Sequence, residues 1–312
     1  MKTVDIVVPC FNEAEGLRLF LTETEKVVSA IAGYEFRYIF IDDGSRDNSL
    51  VLMREMAAEN PRVHYISFSR NFGKEAGMYA GLTHSDGDYV IIMDADLQHP
   101  PALIPQMIAA VEEGYDCAAA MRTDREGEKG LRSFLSGLFY RFSNALTEVK
   151  LPQNAVDFRI MSRKMVDSLC ALSEVERFSK GLFAWVGYST KWLPYENVER
   201  AVGTSKWSFK GLIKYAIDGI TAFTVAPLRL VRNTGAVLFC LSLIYILITL
   251  IKTLVTGIDV PGYASLLCVV LFLGGVLELS IGIVGEYIAH IYLEAKDRPI
   301  CIIRETDLEE KR

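Results

Sequence analysis

The sequence has few cysteines and no pair of them in a CxxC spacing. Its six cysteines are scattered along 312 residues, which excludes a zinc knuckle and gives no support to a disulfide-stapled fold. Basic residues are also in deficit, with 33 lysines and arginines against 39 acidic residues and a net charge of −6. Because proteins that bind nucleic acid neutralise phosphates with a basic excess, we expect no nucleic-acid partner.

Proline is scarce as well, whereas apolar residues are abundant. Ten prolines and a hydrophobic content of 51% exclude a disordered or collagen-like chain. The N-terminal MKTVDIVVPCFNE contains only a short apolar run interrupted by Asp5, which is too brief for the core of a signal peptide. The length exceeds the ~100 to 200 residues of a usual domain, so we expect one domain that starts inside the cell and a membrane attachment.

Two long apolar segments near the C-terminus predict that attachment. They cover residues 233–255 and 264–289, and at about 1.5 Å per residue each is long enough to cross ~30 Å of hydrocarbon. We therefore predict a hairpin of two transmembrane helices within residues 229–295. Glu278 is an ionisable group in the second segment, and we expect it to be protonated or paired within an oligomer, with a role in handling substrate as the alternative.

The charges around the two segments predict their orientation. Basic residues lie outside the hairpin, whereas the connecting loop carries only Asp259. By the positive-inside rule, the N-terminal domain and both termini of this multi-pass protein are expected on the cytoplasmic side of the inner (plasma) membrane, with residues 296–312 as a cytoplasmic tail. The basic residues in question are Arg229, Arg232, Lys296 and Arg298.

The first part of the chain alternates predicted strands and helices. Helical periodicity favours helices over residues 14–31, 47–60, 74–85 and 101–113, with Asn12 as the cap of the first. This alternation predicts an α/β fold with a mostly parallel, doubly wound sheet. Short runs rich in β-branched and aromatic residues predict its buried strands: Val4–Pro9, Phe36–Ile41, Val63–Ser67, Tyr89–Asp94 and Asp116–Met121.

Polar segments follow four of these strands, at the edge where such sheets bind ligands. They read PCFNE, DDGS, SRNFGK and DADLQ. Neither GxGxxG nor GxxxxGK[ST] occurs, so a dinucleotide or P-loop site loses its support. Asp94 and Asp96 offer hard oxygen ligands for Mg²⁺ or Mn²⁺, which can neutralise a departing nucleoside diphosphate. A turn or capping role stays open for this pair, as it does for Asp42 and Asp43.

The chain from about Val4 to Arg298 resembles the polyisoprenyl-phosphate glycosyltransferases of glycosyltransferase family 2, most of all the bactoprenol glucosyltransferases and more distantly dolichol-phosphate mannose synthase. The resemblance implies a GT-A domain over residues 1–206, inverting transfer of one sugar from a nucleotide donor to undecaprenyl phosphate, Mg²⁺ or Mn²⁺ as cofactor, and a homo-oligomer, a tetramer in the family. It rests on PCFNE, IDDGSRDNS, SRNFGKEAGMYAGL, MDADLQHPP, DFRIMSRK, FSKGLFAWVGY, GTSKW, VPGYASLL and GEYIAHIY.

The resemblance also implies roles for individual residues. The expected donor-binding residues are Pro9, Phe11, Asn12, Glu13, Asp42, Asp43, Arg70, Lys74, Asp94 and Lys206. Metal binding is expected from Asp94, Asp96 and Gln98, catalysis from Asp157, Asp96 and Arg122, and acceptor-phosphate binding from Arg122, Arg132, Ser136 and Arg200. A solvated surface charge is the alternative for four of the basic residues: Arg122, Arg132, Arg200 and Lys206.

Asp157 matches the catalytic carboxylate of the family, but its role as a base is left open. A lipid phosphate has a second pKa near ~6 and is largely dianionic at pH 7, so it needs little help from a proton acceptor. An orienting role, or pairing with a nearby arginine, is the alternative.

Two amphipathic segments with basic flanks, near residues 131–146 and 207–228, predict helices at an anionic membrane surface. Packing of these segments on the sheet or on each other is the alternative.

Three further alternatives concern the function. The favoured donor is UDP-glucose, and UDP-GlcNAc or another nucleotide sugar is the alternative. A processive polysaccharide synthase would share the sheet, but the sequence has no QxxRW motif. A non-catalytic membrane scaffold or flippase subunit is an alternative of another class.

Overall fold

The structure, a computed structural model, describes residues 1–123, 154–175, 177–196, 226–256 and 262–308. Within them, eight strands form one sheet in the order β7-β5-β6-β4-β1-β2-β3-β8. The strands are β1 (Lys2–Cys10), β2 (Tyr34–Asp42), β3 (Val63–Phe68), β4 (Tyr89–Ile92), β5 (Cys117–Arg122), β6 (Ala155–Ser162), β7 (Thr190–Tyr195) and β8 (Ile303–Thr306).

Helices connect the strands and cover both faces of the sheet. A short 3₁₀ turn, Pro101–Leu103, precedes the fourth helix. The helices are α1 (Leu17–Val28), α2 (Ser49–Glu59), α3 (Lys74–His84), α4 (Ile104–Glu112), α5 (Arg163–Cys170), α6 (Ser179–Trp185), α7 (Ala226–Thr256) and α8 (Tyr263–Ala295).

Strand direction confirms the predicted fold class. The neighbours β4, β1, β2 and β3 are parallel, as are β5 and β7. Two strands run the other way: β6 lies antiparallel between β4 and β5, and β8 pairs antiparallel with β3 at the edge. The result is the predicted α/β arrangement with a mostly parallel sheet.

The central strands are buried on both faces because helices cover both. Val4, Ile6 and Val8 of β1 pack into one apolar core, and the intervening Val7 packs into the other. Helix α3 lies so close to β1 that a Cβ atom at Gly81 would be 2.2 Å from Cγ1 of Val7. This close packing places the start of α3 beside the carboxyl ends of the strands.

Three local expectations are corrected by the structure. Helix α1 begins at Leu17, after the N-cap residue Gly16, so Asn12 does not cap it. Strands β6 and β7 were not predicted. Residues 303–306, within the predicted tail, form strand β8.

Helices α7 and α8 occupy the region of the predicted hairpin. By length and composition, residues Pro227–Tyr245 and Phe272–Ala295 could cross a membrane, and neither segment is buried in the protein. Large apolar side chains along both helices are exposed, among them Phe239 at 63% and Leu279 at 67%. The predicted amphipathic segment 131–146 lies outside the described residues. Of the second, 207–228, only residues 226–228 are described, and they form the start of α7.

Candidate active site

The loops that follow β1 and β2 are joined by hydrogen bonds at the carboxyl edge of the sheet. The backbone N–H of Asn12 donates to Oγ of Ser45 at 2.9 Å, and that of Glu13 donates to Oγ of Ser49 at 2.9 Å. In return, the Asn12 side-chain oxygen accepts the N–H of Arg46 at 2.8 Å. These bonds hold Asn12 in a left-handed conformation with φ of 54°, which asparagine tolerates better than most residues. Pro9, near the end of β1, and Phe11, on the loop that follows, are both half-buried.

Backbone N–H groups hold the carboxylate of Asp43. Phe72 and Gly73, in the loop after β3, donate to its two oxygens at 2.6 and 2.9 Å. Asp43 is only 4% exposed. Burial raises the pKa of Asp43 to about 6 although these two N–H groups oppose the shift. The carboxylate therefore titrates close to neutral pH while its position is fixed.

The neighbouring Asp42 is fully buried. Its oxygens accept the N–H of Ser45 at 3.0 Å and the hydroxyl of Ser67, on β3, at 2.8 Å. Both bonds come from groups that are themselves fixed by the sheet or by the loop after β2, so this carboxylate is held from two sides.

Gly44 lets the loop after β2 approach the loop after β3. Its φ of +65° is unfavourable for other residues, and a Cβ atom there would lie 2.4 Å from the backbone carbon of Arg70. The Arg70 guanidinium stacks on the Phe72 ring at 3.9 Å and donates to the Asn71 carbonyl. The predicted Asp42, Asp43 and Arg70 therefore line one part of the edge.

The DADLQ segment follows β4 beside the β1 loop. The N–H of Met93 still bonds to Val7 of β1, after which the chain leaves the sheet. Asp96 accepts the backbone N–H of Gln98 at 3.1 Å, and Leu97 between them has φ of 56°. Asp94, Asp96 and Gln98 thus form one tight turn at the carboxyl end of β4.

Asp157 lies opposite Asp94, a consequence of strand direction. Because β6 is antiparallel to β4, pairing Ile92 with Arg159, the beginning of β6 meets the end of β4. Lys74, the first residue of α3, lies between the two carboxylates. Its ammonium is 2.6 Å from an oxygen of Asp94 and 2.7 Å from an oxygen of Asp157.

This arrangement shifts the pKa values of the two partners in opposite directions. Burial opposes the charge of Lys74, but Asp157 and Asp94 outweigh it and raise the pKa of the lysine. Burial alone would raise the pKa of Asp157, but the ammonium groups of Lys74 and Lys180 outweigh it and hold that pKa well below its usual range. Asp157 is consequently ionised at neutral pH.

Glu75 fixes the segment that carries Lys180. Its carboxylate accepts the N–H of Ser179 at 3.0 Å, and the Ser179 hydroxyl donates to the same oxygen. Burial raises the pKa of Glu75, and the nearby charge of Asp157 acts in the same direction. The start of α3, which carries Lys74 and Glu75, is thereby bonded to the start of α6, which carries Ser179 and Lys180.

His99, which follows the DADLQ turn, packs against the aromatic rings of Phe158 and Tyr195. His99, 3% exposed, stacks on Phe158 at 5.5 Å, and its Nδ1 lies 3.9 Å from Asp94 without a hydrogen-bond partner among the described residues. The ring also meets Tyr195 edge-on. Arg122 donates to the hydroxyl of Tyr195 at 3.2 Å, which places Arg122 at the same edge of the sheet but shows no contact with Asp157.

The remaining expected site residues, Arg132, Ser136, Arg200 and Lys206, lie outside the described residues. Conversely, sequence reasoning missed Ser67, Tyr195 and Lys180. The signal that could have found Ser67 is a serine near the carboxyl end of a mostly apolar strand, VHYISF. Lys180 could have been found only from its place in the motif FSKGLFAWVGY. Tyr195 ends β7 and lies in none of the motifs.

Two models of known protein families match the sequence. The model of the glycosyl transferase family 2 matches residues 5–170, which include the DADLQ turn, Lys74 and Asp157. The chain belongs to glycosyltransferase family 2. A second model, the GtrB C-terminal hairpin, matches residues 226–291, the region of α7 and α8. The protein is therefore a glycosyltransferase with an apolar C-terminal hairpin.

Relatives of this glycosyltransferase share nearly its whole length. It is 48% identical to a Bacillus subtilis protein named CsbB, over 99% of this chain and 93% of that protein. It is 40% identical to the SfII prophage-derived bactoprenol glucosyl transferase of Shigella flexneri, over 97% of this chain and 98% of that protein. Mannosyl-3-phosphoglycerate synthase from Rubrobacter xylanophilus has the same fold, with a TM-score of 0.50 at 19% identity and 75% coverage of each chain.

The donor atoms in the DADLQ turn of this family 2 enzyme fit a hard divalent cation. Asp94 and Asp96 supply carboxylate oxygens and Gln98 an amide oxygen, which are ligand types that Mg²⁺ and Mn²⁺ accept. In the described part of the chain, no three His, Cys, Asp or Glu side chains are grouped to hold a metal. The turn therefore offers two carboxylates and one amide. Oδ1 of Asp94 pairs with Lys74 at 2.6 Å, whereas its Oδ2 lies 3.9 Å from Nδ1 of His99.

Proposed function

We propose that this glycosyltransferase transfers a single glucose from UDP-glucose to undecaprenyl phosphate at the cytoplasmic face of the plasma membrane, for modification of a cell-envelope glycan. One observation carries the proposal: a family 2 domain and an apolar hairpin occur in one chain, and a protein named bactoprenol glucosyl transferase shares 40% identity with it from end to end. A lipid acceptor explains why a sugar-transfer domain needs the hairpin.

The nucleoside diphosphate binds, in this proposal, along the edge formed by the loops after β1, β2 and β3. The carboxylates there are held by N–H and O–H donors, so they can present fixed acceptors to a base or ribose. The expected residues are Pro9, Phe11, Asn12, Glu13, Asp42, Asp43 and Arg70. Lys206, which lies outside the described residues, stays a prediction.

Asp94, Asp96 and Gln98 would hold Mg²⁺ or Mn²⁺. When bound, the ion supplies neutralisation of the charge that develops on the diphosphate leaving group. The chain itself places Lys74 next to this turn, so a protein cation lies within reach of the same region. Metal dependence is accordingly part of the proposal.

Transfer requires one bond to form and one to break. An oxygen of the acceptor phosphate attacks the anomeric carbon, and the carbon–oxygen bond to UDP breaks on the opposite face, which inverts the anomeric configuration. The acceptor needs no deprotonation at pH 7 because its phosphate is largely dianionic. Asp157 is held ionised by Lys74, so we assign it an orienting and electrostatic role rather than that of a proton acceptor.

The hairpin keeps the acceptor phosphate at headgroup level near the carboxyl edge. Basic residues at both ends of the hairpin favour a cytoplasmic catalytic domain and termini. Arg122 is described at that edge, and its role in binding the acceptor phosphate, with Arg132, Ser136 and Arg200, stays a prediction. So does the homotetramer.

Incubation of membranes that contain the protein with a panel of radiolabelled nucleotide sugars and undecaprenyl phosphate, with Mg²⁺, Mn²⁺ or EDTA, tests the proposal. We expect label from UDP-glucose in the lipid extract, and none in EDTA. Label from UDP-GlcNAc alone would overturn the choice of sugar. No labelled lipid from any donor would overturn the proposed reaction and leave the scaffold alternative.

Substitution of Asp96 by alanine separates the metal assignment from the rest. We expect Asp96→Ala to abolish transfer, while Asp167→Ala, a matched change at an exposed aspartate paired with Arg163, leaves it unchanged. Both variants should insert into membranes as the wild type does. Activity retained by Asp96→Ala would refute the metal site.

A further inference from the structure

The chain that follows the apolar hairpin returns to the sheet beside the proposed donor site. Strand β8 pairs with β3, matching Ser67 with Glu305, and the pairing shifts between Ser67 and Phe68. Glu305 receives two hydrogen bonds from Arg54 of α2, at 2.8 and 2.7 Å. The N–H of Tyr65 donates to Asp307 at 2.6 Å. Strand β8 is thus fixed to α2 and β3 by side chains as well as by backbone pairing.

Arg304 of β8 reaches the buried polar group next to Asp42. Its Nη2 donates to Oγ of Ser67 at 3.2 Å, and Oγ of Ser67 lies 2.8 Å from Asp42. Ser67 and Asp42 are both fully buried, whereas Arg304 is exposed at the surface. An exposed cation of the last strand therefore connects to a buried carboxylate through one hydroxyl.

The hydrogen-bond chemistry gives this connection a direction. A guanidinium can only donate, and a serine hydroxyl has one proton and accepts through its lone pairs. Once Oγ of Ser67 accepts from Arg304, its own proton is directed to Asp42, which as a carboxylate can only accept. Hydrogen bonds in such a chain polarise and strengthen one another. Arg304 therefore fixes the orientation of the Ser67 hydroxyl, which is one of the two groups that hold the Asp42 carboxylate.

We propose that Arg304 is a positioning residue of the donor site, acting through Ser67 on Asp42, so that the segment after the hairpin completes the nucleoside pocket. This inference rests on the proposed role of Asp42 in binding the nucleoside. It locates the effect in donor binding and not in the chemical step, because Asp94, Asp157 and Lys74 do not contact this chain of bonds. Loss of the arginine should raise the donor KM and leave kcat and the acceptor KM near their wild-type values.

The experiment compares two arginines that meet the same strand in the full-length protein. Arg304→Met removes the bond to Ser67, and Arg54→Met removes the clamp on Glu305 without touching Ser67. UDP affinity by calorimetry, with the KM for UDP-glucose, is the readout. We expect Arg304→Met to weaken UDP binding roughly five- to tenfold, as for loss of a typical hydrogen bond, and Arg54→Met to change it less than twofold.

A double-mutant cycle with Ser67→Ala tests the route. In the Ser67→Ala background, Arg304→Met should have little further effect on UDP affinity, and Arg304→Lys should restore part of it in the wild-type background. Equal effects of Arg304→Met and Arg54→Met would show that β8 acts only by stabilising the edge, and an additive cycle would exclude Ser67 as the intermediary. Either result overturns the inference while UDP-glucose transfer by the wild type still stands. A wild type that binds no UDP overturns both proposals.

Discussion

The two halves of the carboxyl edge hold their carboxylates in different ways. In the first, which we call the backbone-held half, Asp42 and Asp43 accept mainly backbone N–H groups of neighbouring loops. In the second, the lysine-held half, Asp94 and Asp157 share the ammonium of Lys74. A backbone donor moves only with its loop, whereas a lysine side chain can swing on its four-carbon stem. The donor site is thus pre-formed where it is expected to bind the nucleoside and adjustable where the reaction is expected to take place.

The largest expected effect comes from breaking the lysine-held half. Lys74→Met removes the cation between Asp94 and Asp157, and we expect kcat to fall by roughly 10²- to 10³-fold, the range seen when a fixed electrostatic group is lost from an active site. Steady-state kinetics with UDP-glucose and undecaprenyl phosphate measure it. The control is Lys26→Met, at an exposed lysine paired with Glu23. Lys74→Arg should retain part of the activity, and a kcat within threefold of wild type in Lys74→Met would contradict this role.

Breaking the backbone-held half should cost stability first. Gly44→Ala places a Cβ atom 2.4 Å from the backbone of Arg70 at a φ of +65°, so we expect a loss of about 3 kcal/mol or more from the combined clash and strain. Gly33→Ala is the matched control, since Gly33 has φ of +86° with nothing within 4 Å of a Cβ atom, and its expected loss is about 1 kcal/mol. Chemical unfolding in detergent measures both. Equal losses would show that the contact between the loops is not tight.

The smallest expected effect is a difference in pH dependence between the halves. The pKa of Asp43 is raised to about 6, and that of Asp157 is held well below its usual range. Donor binding that needs ionised Asp43 should therefore weaken about tenfold between pH 7 and pH 5, whereas Asp157 stays ionised. The KM for UDP-glucose across this range measures it.

The same raised pKa gives the opposite trend in stability. Because folded Asp43 binds its proton more tightly than an unfolded chain does, its contribution to the free energy of unfolding is present at low pH and is lost as the pH rises from about 4 to about 6. Asp43→Asn should remove both trends. A donor KM that does not change with pH in the wild type would show that the charge of Asp43 has no part in binding.

Much of the sheet could be predicted from the sequence. The five predicted strands lie within two residues of β1 to β5 at every end, because short, mostly apolar runs between helical segments mark buried parallel strands clearly. The same reasoning located DDGS and DADLQ at the carboxyl edge. The pattern of apolar and polar residues in a short run was therefore sufficient to predict where a strand begins and ends.

The remaining features depend on contacts between distant parts of the chain. Asn12 has the composition of a helix cap, but its side chain bonds to Arg46 of another loop, and tertiary contact overrides the local preference. The bridge made by Lys74 depends on the antiparallel insertion of β6 beside β4, which no run of residues encodes. Strand β8 has only four residues, IRET, and is stabilised by a strand more than 200 positions away.

Because β8 comes after α8 in the chain, the apolar hairpin is topologically an insertion within the catalytic sheet. Domains fold during synthesis from their N-terminal parts onward, yet this sheet cannot acquire its edge strand until residues 303–306 have left the ribosome. By then the two apolar helices have already been made. Completion of the proposed donor pocket thus follows synthesis of the apolar hairpin, which makes the maturation of the enzyme a late event in the synthesis of this chain.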